Sequence, residues 1–242
     1  MWRATKQSSW IRWGFVSVCL SVWPGLSWGA WPQEAKLFAE DGEAGDSFGS
    51  AVSISGDYAI VGAPSHDGLG DQAGAAYIFH WDGREWTQTH KLEASDGAAG
   101  HRFGYSVSLD GGAALVGAPY ADGNEPGSGA AYVFRRGVRY IPGQGFVVIW
   151  EEEAELTAPE GKTDDQFGYA VSLEGDLALV GAPHTNLCGQ AYVFKKDGED
   201  WTLESILSLP TWLSTFGRSV DIHNGYAVVG VLEYLVMLDD AC

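Results

Sequence analysis

The residues of this 242-residue chain whose types and spacing could do chemistry fall in three sets of loops. Asp67, Asp122 and Asn186 each stand three residues after the proline of a Gly-Ala-Pro triplet. Oxygen donors at equivalent places in a repeated chain could converge on a cation or a polar ligand, although Asp, Asn and Gly are also ordinary turn formers. AEDGEAGDS (39–47) and APEGKTDDQ (158–166) pair Asp41 with Asp46 and Asp164 with Asp165. Such pairs could hold calcium weakly, but ASDGAAGHR (94–102) puts His101 where Asp46 stood, so turn chemistry is the stronger reading. The insertion RRGVRYIPGQGFVVIWEEEAE (135–155) brings Arg135, Arg136 and Arg139 together on an acidic chain. It reads either as a recognition element for an acidic partner or as an extended hairpin whose EEE (151–153) is a solvated face.

Catalytic signatures are missing from the sequence. The six histidines form no HExxH or other close metal spacing, and there is no GxSxG, no zinc-spaced Cys pair and no phosphate-binding glycine loop. No enzyme activity is expected, with the reservation that a site assembled from distant segments leaves no local motif.

The N-terminus reads as an export signal. Arg3, Lys6 and Arg12 come with no acid, then WGFVSVCLSVWPGL gives a short apolar run broken by Pro24, and LSWGA supplies small residues for cleavage. Residues 1–30 are therefore assigned as a signal peptide, with an uncleaved anchor as the alternative. Cleavage after Gly29 puts Ser27 at the −3 position, whereas cleavage after Ala30 puts Trp28 there. A lipoprotein signal at Cys19 is disfavoured by Val18 before it. No membrane span follows. Losing the three basic groups takes the net charge from −18 to −21, which repels nucleic acid and anionic lipid. An exported chain permits a disulfide between Cys188 and Cys242, with two thiols as the alternative.

Behind the loops stands a repeat. FGSAVSISGDYAIVGAP (48–64), FGYSVSLDGGAALVGAP (103–119) and FGYAVSLEGDLALVGAP (167–183) are near-copies, and FGRSVDIHNGYAVVGV (216–231) is a worn one. The phenylalanines Phe48, Phe103, Phe167 and Phe216, each followed by a glycine (Gly49, Gly104, Gly168, Gly217), precede Gly62, Gly117, Gly181 and Gly230 by 14 residues every time. Pro64, Pro119 and Pro183 end the three intact copies. Insertions fall outside this centre, so the centre is structural. Trp-to-Leu runs precede each Phe, and AAYIF, AAYVF and AYVF follow each loop, with YLVML (234–238) as a fourth version. YSVSL alternates and should be half-buried, while ALVGAP is apolar throughout and should be buried on both faces. SGDY, DGGA, EGDL and HNGY between them predict tight hairpin turns. Four short strands per unit of roughly 50 residues predict all-β propeller blades with Phe and Trp in the wedges between them.

These phrases resemble the FG-GAP repeats of the integrin alpha-subunit β-propeller and of many exported bacterial proteins. The resemblance covers about 31–238. It implies a propeller domain over 31–242, with repeats at about 31–79, 86–134, 150–194 and 201–238, and adhesion-type recognition of a protein or glycan at the cell surface. The Asp-rich calcium loop common in that family is absent, since each turn holds at most Asp57, Asp110, or Glu174 with Asp176. No cofactor is expected, and weak calcium binding in other loops stays open. Four repeats fit a compact four-bladed ring, which is the preferred reading. Part of a larger propeller, or a ring completed by a second chain through an open strand edge, are the alternatives. The rival functional readings are an enzyme's accessory propeller and a truncated, inactive copy of a longer protein.

Overall fold

The tight Gly turns fold each phrase into a hairpin, and the computed structural model shows how the hairpins are extended into sheets. It describes residues 35–209 and 215–232, with the backbone of Cys19–Leu20. The assigned signal peptide, apart from that dipeptide's backbone, lies outside the described residues, as do Trp31, the 234–238 strand and Cys242.

Among the described residues, sixteen strands form antiparallel sheets. A short pair joins β1 (Cys19–Leu20) to β2 (Ala35–Lys36). The first full sheet runs in the order β3 (Val52–Ser55), β4 (Tyr58–Ala63), β5 (Ala75–Trp81), β6 (Trp86–Leu92). The second repeats it with β7 (Ser106–Asp110), β8 (Ala113–Ala118), β9 (Ala130–Ile141) and β10 (Gly145–Leu156). The third follows with β11 (Ala170–Glu174), β12 (Leu177–Ala182), β13 (Gln190–Asp197) and β14 (Asp200–Leu207). Of the fourth, β15 (Val220–His223) and β16 (Tyr226–Val229) are described. A 3₁₀ turn at Thr185–Leu187 is the one helical element among the described residues, so none there is long and apolar enough to cross a membrane.

The sequence repeat and the sheet are out of phase. The second, third and fourth Trp-to-Leu runs open their repeats, yet each forms the outer strand of the preceding sheet: Trp86 pairs with Trp81, Trp150 with Arg136 and Trp201 with Lys196. Connection length explains this. Asp82 accepts the N–H groups of Arg84 (2.7 Å) and Glu85 (2.9 Å), closing a four-residue turn that holds β6 beside β5. The longer segment from Leu92 to Phe103 then crosses to the next sheet.

The sheets stack face to face, with β3 against β7, β7 against β11 and β11 against β15. Alternate residues of each second strand feed different cores. Ile60, Ile78 and Leu92 of the first sheet meet Phe103, Leu109 and Val116 of the second. Leu115, Val133 and Leu156 of the second meet Phe167, Leu173 and Val180 of the third. Leu179 and Ala191 of the third meet Phe216 and Ile222. Phe103 and Phe167 are fully buried and make edge or tilted ring contacts with the Tyr and Phe of their own third strands, such as Phe103 with Tyr132 (centroids 5.5 Å apart) and Phe167 with Tyr192 (5.3 Å). Burying each such ring contributes about 1.5–3 kcal/mol.

The fixed offset of 14 has a specific cause. The N–H of the glycine after each Phe donates to the carbonyl of the glycine that opens each GAP: Gly49 to Gly62 (2.9 Å), Gly104 to Gly117, Gly168 to Gly181 and Gly217 to Gly230 (3.1 Å each). The worn fourth copy keeps this bond. The first glycine of each pair adopts φ between 85° and 92°, which costs glycine little and other residues more. The second glycine serves the neighbouring sheet. A Cβ on Gly62 would lie 2.0 Å from the carbonyl oxygen of Gly104, on Gly117 2.0 Å from that of Gly168, and on Gly181 1.9 Å from that of Gly217. Parallel bridges from Gly74 to Phe103, Gly129 to Phe167 and Gly189 to Phe216 fasten the same joints.

A second fastening uses the polar half of the alternating strand, which the pattern alone would send to solvent. Ser53 Oγ accepts the N–H of Leu109 (3.0 Å), Ser108 that of Leu173 (3.0 Å) and Ser172 that of Ile222 (3.1 Å). One step along, Ser55, Asp110 and Glu174 accept from Gly111, Gly175 and Asn224. Replacing Gly117 with Ala should therefore destabilise the protein by about 3 kcal/mol or more, since the obstructing atom is backbone. Gly137→Ala, where a Cβ would meet only the Ile149 side chain at 3.5 Å, should leave stability within about 0.5 kcal/mol. Chemical denaturation of the two variants side by side checks the pair.

Candidate functional site

The loops after GAP and the loops before the next FG interleave, because the strand ends that launch them are fastened together. Gly100 N–H donates to Asp71 (2.8 Å), Phe103 to Ala73 (2.8 Å), Asp164 to Gly127 (3.0 Å) and Phe216 to Cys188 (3.1 Å). The result is one continuous rim of polar loops.

The aspartates predicted to face a ligand close their own loops. Asp67 Oδ1 accepts the N–H of Gln72 (2.8 Å), and Asp122 Oδ1 that of Gly127 (2.9 Å), the same five-residue closure twice. Both remain exposed. Asn186 adopts φ 53° in the 3₁₀ turn, and its Oδ1 accepts from Lys162 Nζ at 3.3 Å. Cys188 follows that turn, half-buried.

The acids before FG also serve turns. Buried Asp46 and Asp165 accept the N–H groups of Glu43 (2.8 Å) and Lys162 (2.9 Å), each three residues back. Among the described residues, no group of three or more His, Cys, Asp or Glu is arranged to hold a metal ion.

Asp46 also lies 3.0 Å from His66 Nδ1, the pairing that orients a catalytic base. The other imidazole nitrogen, however, meets Lys91 Nζ at 2.8 Å, and among the described residues it hydrogen-bonds no hydroxyl or thiol. Lys91 is committed to Asp41 and Glu93, both at 3.0 Å. Burial works against its charge, but these two carboxylates raise its pKa above the usual lysine value, so it is a held cation and not a nucleophile. In the second sheet Glu155 takes the lysine's place, opposite Tyr132, whose hydroxyl donates to Asp96 (2.8 Å). Burial, with Asp96 and Glu152 nearby, pushes the Glu155 carboxyl up.

The three arginines of the insertion do not form one basic patch. The insertion is the extension of the β9–β10 hairpin, and a strand sends neighbouring side chains to opposite faces. Arg135 bonds Glu153 at 2.8 Å, Arg136 stacks over Tyr58 with its guanidinium 4.5 Å from the ring centre, and Arg139 pairs with Glu151. The EEE run is likewise engaged: Glu152 accepts from the N–H and hydroxyl of Ser95. Glu153 stands at a bulge in β10, where the register slips, and its carboxylate joins two sheets by accepting from Arg135, from Lys196 (2.6 Å) and from Trp201 Nε1 (2.7 Å). This hub left no signal beyond a third consecutive acid.

The rim is continuous with a groove between two loops. Asn124 and Glu125, after the second GAP, and Glu160 and Lys162, before the third FG, line a volume of about 750 Å³ together with Pro159, Gly161 and Thr163. Sequence reading singled out the two loops but not these residues. The family model described as FG-GAP repeat matches residues 31–79, 86–134 and 150–194, the stretches that hold the three intact phrases and both sides of the first two joints. No curated protein matches the chain.

Glu153 gives a pH signature. Burial alone would raise its pKa, but Arg135, Lys196 and Trp201 lower it to about 2, from an ordinary 4.5. A depressed acid contributes stability that is present above the unfolded-state pKa and lost as pH falls. Glu153→Gln should thus cost on the order of 1–3 kcal/mol at pH 7. The difference from wild type should close between pH 4.5 and pH 2, read by urea titration along a pH series.

Proposed function

The chain belongs to the FG-GAP repeat family, and on that premise we propose that it is an exported, non-catalytic propeller module that binds a protein or glycan outside the cell through its loop rim. The observation that carries this reading is the groove at Asn124, Glu125, Glu160 and Lys162. It sets an amide, two carboxylates and an ammonium around an open, polar hollow, the equipment for recognising hydroxyls or a charged peptide. Its walls are loops whose backbones are bonded to each other, so the donors and acceptors are held in place before a ligand arrives. Asp67 and Asp122 shape the rim by closing its loops, and Asn186 steadies Lys162.

Export is supported by the basic-then-apolar N-terminus and by the acidic balance of the rest. The absence of catalysis is supported by the Asp46–His66 pair, whose free nitrogen is spent on a lysine already neutralised by acids. Adhesion-type recognition follows from the family resemblance and suits a rigid scaffold with dissimilar loops.

The reading is tested by presenting the purified protein to panels of immobilised oligosaccharides and extracellular-matrix proteins. Saturable binding to at least one is expected, weakened tenfold or more by Lys162→Glu combined with Glu160→Lys. Binding that ignores this double change moves the site elsewhere, and no binding across the panels overturns the proposal.

A further inference from the structure

The two ends of the stack of sheets carry matching halves of the joint that recurs three times inside it. At each internal joint, the later sheet's first strand turns two apolar side chains to the earlier sheet, both buried at the first two joints and one at the third, where Val220 is half-buried, and its N–H groups are received by the earlier sheet's polar side chains. Val107 with Leu109 and Val171 with Leu173 are buried, as is Ile222. The receiving residues are Ser53 and Ser55, then Ser108 and Asp110, then Ser172 and Glu174.

On the first sheet the equivalent side chains are Val52 and Ile54, and they are 53% and 54% exposed. By the same register, the N–H groups of Ile54 and Gly56 stand where Leu109 and Gly111 donate. On the fourth sheet the receiving positions are Asp221 and His223, both exposed, beside Tyr226 at 78% and Val228 at 68%. Asp221 Oδ1 accepts from Ser172 Oγ (3.2 Å) and His223 Nδ1 lies 3.3 Å from Glu174, so the first sheet offers donors and an apolar pair, and the fourth offers the second carboxylate oxygen, the second imidazole nitrogen and an apolar pair. Among the described residues, nothing covers either face.

We infer that the outer face of β15–β16 in one copy docks on the β3 face of a second copy, using the same contacts as the internal joints. The four sheets that the described residues give each copy, the fourth as the pair β15–β16, together make eight, within the size range of closed propellers. A two-fold axis then generates two identical joints and leaves no end open. The occupant is a second copy because the joint is already self-consistent in this sequence: Asp221 stands at the place of Ser53, Ser108 and Ser172, and is a stronger acceptor than any of them. This inference is independent of the loop groove.

Sedimentation equilibrium of the purified full chain at tens of micromolar should give twice the chain mass. V52D/I54D should give the monomer mass with an unchanged far-UV spectrum, and Y226D/V228D should do the same from the other face. Mixing the two variants should restore a dimer, because one intact face remains on each. Either variant suffices if the other fails to fold. A monomeric wild type, whether closed on itself or awaiting another protein, overturns the inference. So does a dimer that survives both double substitutions. Because the monomeric variants keep the loop groove, binding to the panel ligand is measured on them separately, so failure of one proposal is distinguishable from failure of the other.

Discussion

Everything in this protein depends on a place where a side chain is missing. The glycine that opens each GAP lies so close to the next sheet that a single methyl group would sit about 2 Å from a carbonyl oxygen. That approach lets backbone lie on backbone between sheets, brings the bridges of Gly74, Gly129 and Gly189 into range, and sets the distance at which Phe103 and Phe167 fill the wedges. The partner glycine contributes the other half. Its left-handed backbone turns its N–H back to its own hairpin and its carbonyl outward to the neighbour. The two glycines and the 14-residue interval form one device, repeated wherever two sheets meet.

Much of this was legible in the sequence, and for physical reasons. Strand period, apolar runs and Gly-Asp turns are local properties, so the hairpins, the doubly buried strands such as Ala113–Ala118 and the repeat itself could be read directly. The sheet boundary was less visible. Which neighbour a strand pairs with is set by turn length, and the Asp82 turn assigns Trp86–Leu92 backwards to the first sheet although the repeat carries it forwards. The serines of the alternating strand were harder still. Ser108 and Ser172 look like solvent-facing positions until the neighbouring strand supplies an N–H, and that strand is some 50 or more residues away.

For the candidate site, the sequence pointed to loops rather than to a set of residues. Loop position is fixed by the scaffold, and both loop families named by the sequence meet in the groove. The side chains that line it, Asn124, Glu125, Glu160 and Lys162, follow no repeat pattern, and it is their dissimilarity that makes one groove unlike another. Residues that did follow a pattern, Asp67 and Asp122, were patterned because they close the same turn. Charge runs misled for a related reason. Arg136 stands on the opposite face of the strand from Arg135 and Arg139, which are spent on Glu153 and Glu151, and Glu153 hides in an acidic run while bonding two sheets together.

The offset between repeat and sheet also bears on how the chain is made. A sheet whose outer strand is encoded in the next repeat cannot finish when its own repeat leaves the ribosome. The first sheet must wait for Leu92, and its exposed face must wait longer, for Phe103. Each newly made repeat therefore completes the one before it, and the growing chain always trails one unfinished sheet. Folding is thereby ordered from the N-terminus, and a duplicated repeat inserted anywhere would arrive with the strand its predecessor needs.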